Sequence, residues 1–219
     1  MKNGLRQSHG LWLLAATTAL ASCAPEQEAA PDPPANDAQL AEAPVEPATN
    51  AAAPPTETAT APLTAEGWGP LRVGMTLAEI TTAAGPDSDP EAVGGPDPQS
   101  WDIFHPARAP QGVGVMVEDG RLTRVSLSSP TELKTDRGFG PGDTGAAVKA
   151  AYGADAKASA HEYQEGPAEY LTVWTTGAGD EPYVRSPDAR GIRYEIDQSG
   201  TVATIHAGGP SIQYVQGCV

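Results

Sequence analysis

The sequence predicts an α+β fold of two tandem helix-plus-antiparallel-β-hairpin units, with the helices packed on one face of the sheet. Three observations predict it. A helix start written as Val73-Gly74-Met75-Thr76 returns as Pro141-Gly142-Asp143-Thr144. Each copy is followed by two apolar runs joined by a turn, the arrangement of a hairpin. The hairpin residues also align between the copies, Val113 with Ile192, Val117 with Ile196, Leu122 with Val202 and Val125 with Ile205. The chain accordingly divides into residues 1–22, a leader; 23–63, a tether; 64–135, the first unit; and 136–219, the second.

The leader carries Lys2 and Arg6, then an apolar run from Leu11 to Ala21, then small residues before Cys23. That order is a signal peptide, and the run falls short of the roughly 20 apolar residues a membrane-spanning helix needs. Leu20-Ala21-Ser22-Cys23 resembles the lipobox of bacterial lipoproteins. The resemblance implies that Cys23 becomes the mature N-terminus, with a thioether-linked diacylglycerol and an amide-linked acyl chain such as palmitate. More than one chain matters, because a single acyl chain holds a protein only marginally at a bilayer. Ala24 follows that cysteine. By resemblance to proteobacterial sorting, the absence of Asp there implies release to the periplasmic face of the outer membrane.

From Ala24 to about Leu63 the chain is Ala, Pro, Thr, Asn and acidic residues with no Lys or Arg, too polar to bury a core. At roughly 3.1 Å per residue, a Pro-rich segment of that length holds a domain as far as about 120 Å from its anchor. Seven of the 28 acids lie in this tether, leaving 21 against 11 bases in the rest of the mature chain. An acidic domain with scattered bases excludes nucleic acid as the expected partner. Cys218 is the one thiol left once Cys23 is lipidated, so no intramolecular disulfide forms. In an oxidising compartment it either lies buried as a small apolar side chain, the commoner fate, or pairs with another chain.

In the first unit Thr76 is the N-cap and Glu79 its capping-box partner, with Met75 and Ile80 as the staple. Leu77, Ile80, Thr81 and Ala84 share one helix face, and Gly85-Pro86 ends the helix with a left-handed stop. Ser100 to Phe104 alternates as a strand, and Asp119-Gly120 joins Val113–Val117 to Leu122–Leu127. In the second unit Thr144 caps without an acidic partner, and Val148, Ala151 and Tyr152 form the buried face. Tyr170 to Trp174 is a strand, Ile192–Ile196 pairs with Val202–Ile205, His161–Tyr163 adds a strand, and Ile212–Val215 closes an edge.

Leu71-Arg72-Val73-Gly74-Met75-Thr76, the helix, Gly85-Pro86, the Asp89-Pro90 loop and Trp101 with Phe104 resemble the SmpA/OmlA family, small lipoproteins of the outer-membrane β-barrel assembly machinery. The tandem arrangement is also similar to the β-lactamase-inhibitor-protein family, built from two such units. The first resemblance covers about residues 71 to 127, and the residues that carry it build a turn and a cap, so it bears on fold more than on function.

No motif for nucleophilic, phosphate or zinc chemistry stands in the chain. His105, His161 and His206 have no ligand spacing, and Asp87, Asp89, Glu91 and Asp97 miss the calcium-loop pattern, so neither a metal nor a cofactor is expected. Glu165, Glu169, Asp180 and Glu181 are the carboxylates from which a glycosidase pair would have to come. Of the aromatic residues, most belong in the core, and Trp101, Trp174 and Tyr170 are the candidates for a protein interface. The expected function is a non-enzymatic binding or scaffold module for an envelope protein, held to the bilayer through Cys23. The alternatives are an inhibitor that caps a periplasmic hydrolase or, less favoured, an envelope enzyme.

Overall fold

The computed structural model describes residues 60–91, 101–179 and 183–215. The leader, Cys23, nearly all of the tether, Asp97, Asp180, Glu181 and Cys218 lie outside the described residues.

Among the described residues ten strands and two α-helices follow in order. The strands β1 (Leu63–Thr64), β2 (Gly67–Trp68) and β3 (Leu71–Arg72) form a small antiparallel meander, and α1 (Leu77–Ala84) follows. Next come β4 (Trp101–Phe104), β5 (Val113–Glu118), β6 (Arg121–Ser128) and α2 (Gly145–Tyr152). The chain ends with β7 (Lys157–Ala160), β8 (Glu169–Thr176), β9 (Arg190–Ile196) and β10 (Val202–Gly208), then a 3-10 turn over Pro210–Gln213. Strands β4 to β10 make one antiparallel sheet in the order β4-β5-β6-β10-β9-β8-β7.

This overturns the α+β expectation. The described chain is mostly β, two antiparallel sheets of three and seven strands with only two helices of eight residues each. The reason lies at the strand edges. β6 and β10 are the outer strands of their hairpins, and their unpaired N–H and C=O groups satisfy one another, with Ile205 opposite Leu127 and Ala207 opposite Val125. The two hairpins therefore fuse into one sheet. The core over that sheet is closed in large part by the meander, whose Leu63, Trp68 and Leu71 are fully buried or nearly so, alongside Ile80 and Val148 from the helices.

The local details of the repeat are present in the backbone. Gly74 donates to Leu122 O at 2.7 Å and Gly142 to Val202 O at 2.8 Å, while Leu122 returns a bond to Met75 O and Val202 one to Asp143 O. Gly74 and Gly142 share φ values of 93° and 92°, a conformation that disfavours any side chain. Thr76 and Glu79 complete the capping box, the Thr76 N–H donating to Glu79 at 2.8 Å. Thr144 accepts from Ala147 N at 3.2 Å with no reciprocal partner. Asp119 and Gly120 both have positive φ, as the two-residue hairpin turn requires.

Several element-level expectations are corrected. Leu77 is 42% exposed, and Ile80 and Ala84 carry the buried face. In α2, Ala151 is exposed and Gly145 is buried instead, its backbone lying against the Ile196 side chain. Gly85 has positive φ but an extended ψ of 170°, so the helix ends without a left-handed stop. Strand β7 stops at Ala160, before His161, where the His161 ring contacts Tyr170 and Glu195 in place of a strand partner. Residues 212 to 215 form no edge strand. Pro210 at the first helical position favours a 3-10 turn, which crosses β6, β9 and β10.

Candidate functional site

Alternation along the strands gives the large sheet two faces. Val125, Leu127, Leu171, Ile192, Tyr194, Ile196, Ile205 and Ala207 point into the main core, so the residues between them point the other way. The register aligns these into rows across the sheet. One row runs from Lys157 on β7 through Thr172, Arg193 and His206 to Ser126 on β6. A second runs Ser159, Tyr170, Glu195, Thr204 and Ser128. Beside the first row Trp174 faces Gly191, and a Cβ on that glycine would stand 2.7 Å from the indole Cε3, so the missing side chain is what seats the ring.

Charges at the centre of this face are buried. Arg193 is 6% exposed, its guanidinium carbon 3.7 Å from the centroid of the Tyr170 ring, and one Nη donates to Ile212 O at 3.3 Å. Arg124 donates to Ser211 O at 3.1 Å, so the two arginines tie the C-terminal 3-10 turn to the sheet. Burial draws the Arg193 pKa below the usual arginine value. Tyr170 is raised, first by burial. His206 is held well below the usual imidazole value by burial, then by Arg124 and Arg193, which favours its neutral form. Its Nδ1 lies 2.8 Å from Ser126 Oγ.

Glu195 joins two histidines that are distant in sequence. One carboxylate oxygen lies 3.0 Å from His161 Nε2 and the other 4.0 Å from His206 Nε2. Ser126, His206 and Glu195 thus stand in the order of a nucleophilic triad, but the geometry departs from one. The 4.0 Å gap exceeds a hydrogen bond, the carboxylate is engaged by His161, and the neighbouring strand N–H groups belong to ladder bonds rather than to an oxyanion site. Among the described residues no group of three or more His, Cys, Asp or Glu is placed to hold a metal ion.

Of the expected interface residues, Trp174 lies on this second face and is half-buried. Tyr170 is on the same face but only 4% exposed, covered by Arg193 and stacked at 4.6 Å on His161, which corrects its reading as a surface anchor. The Trp101 backbone pairs with Glu118 at the far edge, and its side chain is outside the description. Glu169 faces the helix side, where Lys149 meets its carboxylate at 2.7 Å. Gly74, Thr76, Glu79, Gly142 and Thr144 are all on the helix starts described above, and burial is no part of the Glu79 pKa being lowered; the bonds from the Thr76 N–H and hydroxyl cause it.

Arg193, Glu195, Lys157, Thr172 and His206 are residues of this face that no motif in the sequence marks. The signal for two of them was present: in Ile192-Arg193-Tyr194-Glu195-Ile196 charges alternate with large apolar residues, which sends both charges to the face opposite the core.

A hollow of about 760 Å³ opens over the β7–β8 end of this face, between the strands, Tyr183 and Val184, and Gln213. Gln213, in its lining, makes a pair of hydrogen bonds to Val184, its side-chain oxygen accepting from the backbone N–H at 2.9 Å and its amide nitrogen donating to the carbonyl at 2.8 Å. A separate hollow of about 450 Å³ is lined by Pro62, Pro110, Pro130 and Leu133 and lies apart from the polar rows. No family model, curated protein or solved structure matches this chain.

Proposed function

We propose that the chain is an envelope lipoprotein anchored by acyl chains on Cys23 at the periplasmic face of the outer membrane, and that its globular part is a non-enzymatic binding or scaffold module. The binding surface in this reading is the β7–β8 end of the second face of the seven-stranded sheet, which the C-terminal 3-10 turn over β6, β9 and β10 leaves open. The observation that carries it is the set of in-register rows from Lys157 to Ser126 and from Ser159 to Ser128, polar side chains across five strands where a second covering layer would demand apolar ones. The resemblance of the first helix start to small assembly lipoproteins is in keeping with this reading.

Two experiments test it. A photo-crosslinking residue at exposed Ser159 of the full-length protein is expected to capture one envelope protein in cells, and the same residue at exposed Ala150 on α2 none. Equal capture at both positions, or none at Ser159, overturns the surface assignment. Identity of the captured protein separates an assembly component from a hydrolase, the inhibitor alternative. Cys23→Ser is expected to release a soluble, folded domain, and full membrane retention of that variant refutes the anchor.

A further inference from the structure

A buried cation in a folded protein is met by a carboxylate, a full set of hydrogen bonds or a bound anion, because the hydration it gives up has to be replaced. Arg193 has too little of any of these. Of its five N–H donors one Nη reaches Ile212 O at 3.3 Å, and Nε is buried with no partner. No carboxylate lies within ion-pair distance of it among the described residues, and Glu195, on the same strand, is engaged by His161 at 3.0 Å. The Tyr170 ring covers one face of the guanidinium and supplies no acceptor.

Arg193 lines the hollow of about 760 Å³, a volume typical of small-molecule sites. Around it stand Lys157, Thr172 and Ser159 from the strands, Trp174 and Tyr183 as aromatic walls, and, among the described residues, one acid, Asp155. Lys157 is exposed, its Nζ donating to the Ala154 carbonyl, so a second positive charge sits within the same lining. Trp174 is held in place by the bare Gly191 beneath it.

We propose that this hollow is a carboxylate-binding site, in which Arg193 takes the carboxylate, Lys157 adds charge and Trp174 with Tyr183 contacts the apolar part of the ligand. A planar guanidinium matches a carboxylate's two oxygens, and the adjoining aromatic walls favour a carboxylate carried on a ring or an aliphatic stem over a bare inorganic anion. The site deepens the binding reading of this face and rests on it, though the two fail separately. Loss of carboxylate binding with Ser159 crosslinking intact removes only the ligand class.

The test uses full-length protein in detergent micelles and calorimetry at fixed salt. Benzoate is the free carboxylate and an end-blocked tripeptide centred on glutamate the protein-borne one, with benzyl alcohol and the glutamine tripeptide as neutral counterparts. At least one carboxylate is expected to bind tenfold or more tightly than its neutral counterpart, and which one does so tells a small ligand from an acidic side chain of a partner. Arg193→Gln is expected to abolish that preference. Should Arg193→Gln fail to fold by circular dichroism, exposed Lys157→Ala carries the test, with a weakening of about threefold expected, against no change in Lys149→Ala on the helix side. Equal binding of charged and neutral probes, no binding of either carboxylate, or a preference untouched by the Lys157 and Arg193 substitutions overturns the proposal.

Discussion

Thr76 and Thr144 occupy the same place in the repeat and differ in one partner. The Thr76 N–H is satisfied by Glu79 at 2.8 Å, whereas the residue at the corresponding position after Thr144 is Ala147, which offers only its backbone N–H. Thr76→Ala is expected to cost about 0.5–2 kcal/mol and Thr144→Ala less, compared by thermal or urea melts of the two variants. A larger loss at Thr144 would contradict the role of the box. At His206 the expectation concerns pH. The folded ring is held neutral by burial and by Arg124 and Arg193, while in the unfolded chain it takes a proton below about pH 6.5. The unfolded state then binds more protons, so stability is fully present above pH 6.5 and declines as the pH falls below it. Melting temperatures between pH 7 and pH 4 are expected to fall more steeply for the wild type than for His206→Gln. Parallel profiles would show that another group sets the acid limb.

At the scale of elements, strands β8 and β9 meet at a point where a large ring and a missing side chain are opposed. An alanine Cβ at position 191 would lie 2.7 Å from both the Trp174 ring and the Val173 carbonyl oxygen, and the second contact is backbone that cannot swing aside. Gly191→Ala is expected to destabilise by about 1–3 kcal/mol and to shift Trp emission, with Gly166→Ala, at an open position, as the control. Unchanged emission and melting in Gly191→Ala would mean that the ring is not seated there. The same strand shows how far an element could be read in advance. Alternation places Ile192, Tyr194 and Ile196 on one face of the strand, and all three are buried. It could not show that Tyr170 on the neighbouring strand would be covered, because that cover comes from Arg193 across the pairing and from His161 beyond a strand end.

For the whole globular part, the decisive contact is the seam between β6 and β10. Leu127 and Ile205 face each other there, both fully buried, in a core that also holds Trp68 from the meander and Leu171 from β8. Because that core is continuous, the two hairpins are expected to unfold together. Leu127→Ala is expected to cost about 2–5 kcal/mol and to leave a single transition, coincident by fluorescence and far-ultraviolet circular dichroism in urea. Two separated transitions would mean that each hairpin keeps its own core.

The features legible along the chain are local: the helix caps, the Asp119-Gly120 turn, the alternating strands and the matched glycines at 74 and 142. Each is settled within a few residues by steric limits on φ, by a side chain reaching its own backbone, or by the two-residue period of a strand. Tertiary structure decided the rest. Backbone N–H and C=O groups carry no residue identity, so the chain does not announce that the edge of β6 takes β10 as its partner, and the α+β expectation of separate units failed at that point. Nor does it announce that Leu63, Trp68 and Leu71 would close the core where helices were expected to. The hollow around Arg193 belongs to the same class of outcome, since it gathers Lys157, Trp174, Tyr183, Arg193 and Gln213 from five separate segments that only the folded sheet brings together.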